Sequence, residues 1–284
     1  MKSLVVQSYL FLIIKDMAEI FVKKNVTRGA AALSYYLTLS IFPLLICVSA
    51  ILGNTWIVDS DLGDSLREFL PDSAFYVIYE FLRYVSRFRS DVMLVFGVIA
   101  MLTTSSAAFR SFTGTISDIQ GSARHTGIWR GIFSFVSSIV FLLSIYISGL
   151  VILTGEWIIE VIGEQLTVIE IFEIWNWLRF VFLLLLLFCI ILLIYIFSAP
   201  KGTRKRACLP GAVTAAIVLV GASMVYSHMI TASLRYAILY GSLASFIILM
   251  VWLYTCGIIL IMGDVLNITI VAHKRKRLMG DQIE

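Results

Sequence analysis

The stretch SFIILMVWLYTCGIILIMGDVLN, Ser245 to Asn267, decides the fold. It carries no charge until Asp264. A helix rises about 1.5 Å per residue, and a membrane's hydrocarbon core is ~30 Å thick. A helix starting at Leu243 therefore reaches the far boundary at about Met262. The run does not alternate apolar and polar residues, so it does not read as a barrel strand. An open sheet edge cannot lie in lipid, which leaves a transmembrane helix that ends close to a carboxylate.

The rest of the chain has the same character. Of 284 residues, 60% are hydrophobic and 14% charged, against about 25% charged in soluble domains. The mean hydropathy is +0.96. Six segments are long and apolar enough to span: 30–52, 92–112, 129–153, 178–198, 210–230 and 243–262. Trp129, Trp157 and Trp177 fall near their ends, where amphipathic rings favour the interface. The expected fold is an all-α integral membrane protein, one polytopic domain with a six-helix bundle.

Two amphipathic segments flank the spans. In residues 1–26, Val5, Tyr9, Ile13, Met17 and Phe21 recur at helical spacing, with Lys15, Glu19 and Lys23 on another side. That pattern suits a helix lying in the membrane interface. The first apolar run ends at Lys15 and Asp16 with no small-residue cleavage pattern after it, so no cleavable signal is expected. Between the first two spans, Phe75, Ile78, Leu82, Val85 and Phe88 suggest an outer amphipathic helix.

Positive charge orients the bundle. The N-terminal segment, the second-to-third and fourth-to-fifth connections and the basic tail (272–284) hold 16 of the 22 Lys and Arg residues. With six spans, all of them fall on one side. The opposite side collects Glu156, Glu160, Glu164, Glu170 and Glu173. Both termini are expected in the cytoplasm.

Three blocks carry a likeness to a known family. RGAAALSYYLTLSIFPLL (Arg28–Leu45), YIFSAPKGTRKRACLPGA (Tyr195–Ala212) and YGSLASFIILMVWLY with the following GDVLN resemble the YihY/BrkB family of bacterial inner-membrane proteins. The matching positions include Pro43, Tyr195, Pro200, Gly211, Tyr240, Gly241 and Trp252. Where that family usually shows Gly-Ala-Glu before Leu-Asn, this chain has Gly263, Asp264 and Val265, which shortens the reach of the acid. The resemblance implies six helices in a bacterial inner membrane and no soluble domain. It also implies an old ribonuclease label regarded as mistaken, and a loose link to serum resistance and to the transport of lipids or other envelope material.

Residue types narrow the chemistry. RNA hydrolysis needs an acid and a base, or clustered metal ligands. The three histidines, His125, His228 and His273, are scattered, and there is no HxxxH or DxD motif. The four cysteines, Cys47, Cys189, Cys208 and Cys256, form no CxxC pair and read as packing residues. No Walker sequence is present, so ATP-driven transport by this chain alone is not expected. No catalytic residue, metal or cofactor is expected, and no nucleic acid partner. Membrane lipids are the expected partners, with a homo-oligomer or an envelope protein left open.

The polar residues within spans are the remaining candidates. Ser34, Tyr35 and Thr38 in the first span, and Thr103, Thr104 and Ser106 in the second, are candidates to line a polar cavity between spans one, two and five. Hydroxyls that bond within the bundle are the packing alternative. Pro43 removes one backbone donor from the first span. Gly211, Ala212, Ala215 and Ala216 give the fifth span a face for close helix approach. Asp264 is expected to pair with Arg28 or Arg110, which lie at similar depth, or to form a proton or substrate site at the inner mouth with Asn267 one turn on. The leading function is a transporter or translocation factor for a lipid or other amphiphile. A membrane scaffold in envelope organisation is the alternative, and a nuclease ranks below both.

Overall fold

The computed structural model describes residues 2–52, 91–121, 128–163, 168–200, 203–232 and 242–280. Among these there is no strand. The elements are α1 (Lys2–Lys23), α2 (Val26–Leu52), α3 (Asp91–Gln120), α4 (Ile128–Gly163), α5 (Val168–Ser198), a short 3₁₀ turn (Lys205–Cys208), α6 (Leu209–Ala232) and α7 (Ser242–Gly280). Helices α2 to α7 are each long and apolar enough to cross a membrane, which gives the six expected spans. The expected outer amphipathic segment, with Phe75 to Phe88, lies outside the described residues, as do Tyr240 and Gly241.

The core sits at one end of the bundle, beside the basic connections. It joins the first turns of α2 (Val26, Ala30, Leu33) to the last turns of α3 (Phe112, Ile116, Ile119) and α5 (Ile191, Tyr195). The start of α6 (Ala212, Ala215, Ala216, Leu219) and the end of α7 (Ile261, Val265) complete it. Each set recurs at three- and four-residue spacing, one stripe per helix. Outside this core, Phe96, Ile139, Leu185 and Ile217 are exposed, as a lipid-facing surface requires.

Helix α2 packs most extensively on α3, and α7 packs on α2 and α6. Small residues permit these contacts. A Cβ on Gly257 of α7 would stand 3.2 Å from Ala30 of α2. Gly211 of α6 and Gly263 of α7 face each other so closely that a Cβ on Gly211 would collide with the carbonyl oxygen of Gly263. The small-residue face of α6 is therefore its packed face in the first half of the helix. Further along, Gly221 is exposed with nothing near it.

Helix α1 enters α2 through Lys24 and Asn25. Asn25 has φ 51°, a left-handed conformation that asparagine tolerates better than most residues. The turn returns α1 along α7, where Ile13 is buried and Met17, Ile20 and Phe21 pack on the core. Asp16 meets His273 of α7 at 3.0 Å. Phe11, Ile14 and Val22 remain exposed, so α1 both docks on the bundle and presents apolar side chains outward, as an interfacial helix does.

Four helices outrun their expected spans: α4 runs on to Gly163, α5 begins at Val168, and α3 and α7 are extended at the basic end. Helix α3 continues past Phe112 to Gln120, and α7 continues past Met262 to Gly280. Helix α2 runs on through Pro43 without a break. The extensions of α3 and α7 bring together the polar groups described next.

Candidate functional site

Two polar assemblies stand at the basic end. The first is centred on Asp264, which is only 2% exposed. Its Oδ2 accepts a hydrogen bond from Gln120 Nε2, at 3.0 Å, across from the last turn of α3. Asn267, one turn on, is also buried. Its Oδ1 accepts from the backbone N–H of Gly211, at 2.7 Å. That N–H belongs to the first turn of α6 and has no partner within its own helix, so the asparagine serves as a cap supplied from another helix. Tyr195, wholly buried on α5, donates its hydroxyl to the carbonyl of Leu260 at 2.6 Å. One turn on from Tyr195, Ser198 is buried as well. Gln120 Oε1, Asn267 Nδ2 and Ser198 Oγ are buried and without a hydrogen-bond partner.

This arrangement corrects the expected pairing. Among the described residues, no ion pair joins Asp264 to Arg28 or Arg110. Arg28 is exposed on the first turn of α2, and Arg110 is exposed on α3. The partner of Asp264 is Gln120. Arg110 lies ten residues before Gln120, about 15 Å along the axis and on a different face. The similar depth expected of the two charges does not hold, because Arg110 stands about 15 Å along the helix from the turn that meets Asp264.

The second assembly is a cleft of about 520 Å³ between α2, α3 and α4. Ala32 and Tyr36, Ala107, Arg110 and Ser111, and Arg130 and Gly131 line it. The lining holds two guanidinium groups and no carboxylate. Arg130 crosses α3 where Gly114 leaves room: a Cβ there would strike its Nη2. It donates from Nη2 to the carbonyl of Arg110 at 3.1 Å. Its Nε is buried and unpartnered. A neutral backbone carbonyl does not balance a guanidinium, so the cleft carries net positive charge.

The hydroxyls expected to line a cavity behave otherwise. Ser34 and Thr38 are buried and bond to the carbonyls of Ala31 and Ser34, at 2.9 and 2.7 Å. Thr103 bonds to Ile99 and Ala100, and Thr104 to Ala100 and Met101, all within α3. Tyr35 is exposed and stacks edge-on against Tyr36, with centroids 5.4 Å apart. Ser106 is buried. None of the six lines the arginine cleft. Of the sequence-picked residues, the cleft uses Arg110 alone.

The other matching positions have packing roles. Pro200 follows α5, and its carbonyl accepts from Thr203 N–H at 3.1 Å. Trp252 lies 6.0 Å from the ring of Tyr226. All four cysteines are free thiols. Among the described residues, no group of three or more His, Cys, Asp and Glu side chains could hold a metal ion.

Sequence reasoning missed Gln120, Ser198 and Ser111, noted Tyr36 only as one polar residue of the first span, and counted Arg130 only as topological charge. One signal for Gln120 was present. Phe112, Ile116 and Ile119 continue the buried stripe of α3 beyond the apolar window, which carries the helix on to that glutamine.

Comparison with known proteins adds a family. The family model described as "Virulence factor BrkB" matches residues 17–282. The chain is similar to the ribonuclease-like protein YfkH of Bacillus subtilis (strain 168), 25% identical over 267 residues, 92% of this chain and 96% of that one. It is also similar to a UPF0761 membrane protein of Aromatoleum aromaticum, 24% identical over 262 residues. That match covers 88% of this chain and 61% of the relative's length. No solved structure matches.

Proposed function

The chain belongs to the BrkB virulence factor family of membrane proteins, and from that premise we propose that it moves an anionic amphiphile, a lipid with a phosphate-type head group, through or out of the membrane without hydrolysing ATP itself. One observation carries the reading: the cleft between α2, α3 and α4 holds Arg110 and Arg130 with no acid in its lining. Guanidinium groups match phosphate oxygens in charge and in fork geometry. The volume, about 520 Å³, lies within the ~300–1,000 Å³ range of small-molecule sites. Tyr36 and Ser111 add hydroxyls at the same place. Exposed apolar residues on α4, Trp129, Ile132 and Val136, supply a lipid-facing flank for the acyl chains.

In this proposal the basic end faces the cytoplasm and the membrane is the bacterial inner membrane, because basic connections are retained on the cytoplasmic side. The head group then meets the cleft from the cytoplasmic leaflet, where Arg204, Lys205 and Arg206 raise the local concentration of anionic lipid.

The name of YfkH raises RNA hydrolysis as a second reading. It needs an acid, a base or a metal cage. The assembly around Asp264 has one carboxylate, itself buried, two amides and a phenol already bonded to a carbonyl. Transport is the better fit.

Vesicles containing the purified chain provide the test. Phosphatidylglycerol or phosphatidylcholine carries a head-group-accessible fluorophore that an added reductant bleaches in the outer leaflet only. The expected result is faster loss of protection for the anionic lipid, abolished by Arg110→Gln with Arg130→Gln while the melting temperature holds. Binding of the anionic lipid without any movement would favour the scaffold reading and overturn this one.

A further inference from the structure

We infer that Asp264 binds an exchangeable monovalent cation, a proton or a sodium ion, inside the bundle. The inference does not rest on lipid transport.

The argument starts from charge. Asp264 is almost fully buried, and the side chains that meet its carboxylate are neutral amides: Gln120 Nε2 donates to it, and Asn267 stands beside it. Ionising a carboxylate in such a place costs far more than one amide hydrogen bond returns, unless a cation stands beside it. Among the described residues, the elements packed around it do not supply one: Arg204, Lys205 and Arg206, at and before the 3₁₀ turn, are exposed. Helix α3 offers Gln120, α5 offers Tyr195, and the 3₁₀ turn offers Cys208. Asp264 and Cys208 both lie within electrostatic reach of Tyr195. Tyr195 is committed to the carbonyl of Leu260. Arg28 of α2 is exposed and makes no ion pair with Asp264. Lys24 turns away to the carbonyl of Asp118, at 3.1 Å. On α7, His273 lies nine residues on, about two and a half turns, and faces Asp16 of α1. No described side chain balances Asp264, so in this inference the cation comes from solution.

The surroundings are built to take one. Gln120 Oε1 is a buried carbonyl oxygen with no donor, and Ser198 Oγ is a buried hydroxyl with no partner. Next to the carboxylate, the Gln120 oxygen is a hard ligand of the kind a small alkali ion needs. The amide of Gln120 can present either end. Its N–H meets the carboxylate in the observed arrangement, and its carbonyl accepts from a protonated carboxyl or faces a sodium ion after rotation. A purely structural pair would be served by an amide at position 264. The carboxylate adds a charge, which only a cation-binding role uses.

Purified full-length protein in lipid is titrated by infrared difference spectroscopy, and binding of radioactive sodium is measured in parallel. The expected result is one of two signals. Saturable sodium binding that Asp264→Asn abolishes, and that Gln120→Leu weakens about tenfold or more, the loss of one ligand's share, assigns the ion as sodium. A protonated-carboxyl band that titrates, and that vanishes in Asp264→Asn, assigns a proton. If Asp264→Asn does not fold, Asp264→Glu makes the assignment by shifting the same band. Wild-type protein that binds no sodium and shows no titrating buried-carboxyl band, across the pH range where it stays folded, overturns the inference. Lipid movement is read separately, so either claim can fail alone.

Discussion

The tightest contact in the bundle makes a sharp prediction from two glycines of one helix. Gly211 and Gly221 both lie in α6, and both are replaced by alanine. At Gly211 the new methyl group meets the carbonyl oxygen of Gly263, a backbone atom that cannot rotate aside, and lies 2.5 Å from Asn267 Nδ2. Relief requires α6 and α7 to separate, or Asn267 to leave its bond with Gly211 N–H. Forced repacking of this kind costs about 1–3 kcal/mol, and loss of the hydrogen bond adds ~1 kcal/mol. At roughly 2–4 °C per kcal/mol for a chain of this size, Gly211→Ala should lower Tm by about 4–16 °C. Gly221 has nothing within 4 Å of its added Cβ. There alanine brings only its better helix propensity, up to ~1 kcal/mol, so Gly221→Ala should leave Tm unchanged or raise it by about 3 °C. The assay heats the purified protein with a thiol-reactive dye, which reports exposure of the buried Cys47 and Cys208. Equal shifts for both variants would refute the close α6–α7 contact.

Three further outcomes follow from the same geometry. Ala216→Leu overfills the buried face of α6 and should lower Tm by several degrees in the same assay, whereas an unchanged value would put that face against lipid. Tyr195→Phe leaves the ring in place and orphans the carbonyl of Leu260, costing ~1 kcal/mol; its Tm should fall by about 3 °C, and no fall would mean that the hydrogen bond contributes nothing net. In a background without native cysteines, Lys201→Cys and Glu164→Cys should be labelled from opposite sides of the membrane; labelling of both from one side would break the six-span topology.

The six spans were legible because burial in lipid demands unbroken apolar runs, and hydropathy measures that demand directly. The ends of α3 and α7 were not legible in the same way. A hydropathy window stops at the first polar cluster, such as the residues after Phe112 or Met262. Those helices continue because a buried apolar stripe, Phe112, Ile116 and Ile119 on α3 and Val265 on α7, runs on beyond the window. The pairing of Asp264 was misjudged for a related reason. Charge rules fix the side of the membrane and leave both exact depth and rotation about the helix axis undetermined, and contact depends on both. Arg110 faces the cleft with Arg130, while Gln120 on another side of α3 reaches Asp264. The Ser and Thr residues of α2 and α3 illustrate a third limit. Hydroxyls within a helix have a partner one turn back, in the i−3 or i−4 carbonyl, and in an apolar bundle most of them take it. The small-residue face of α6 was readable because size alone determines how closely two backbones approach.

The central claim is that the cleft between α2, α3 and α4 holds the anionic head group, and photocrosslinking tests it most directly. A phosphatidylglycerol with a photoreactive group near its phosphate is incorporated with the protein into vesicles, illuminated, and mapped by peptide sequencing. The account predicts adducts on the peptides around Tyr36, Arg110 and Arg130, lost when both arginines become glutamine and absent with a phosphatidylcholine probe. Adducts confined to the outward apolar surface of α4 and α5, equal for both lipids and indifferent to the arginines, would contradict it.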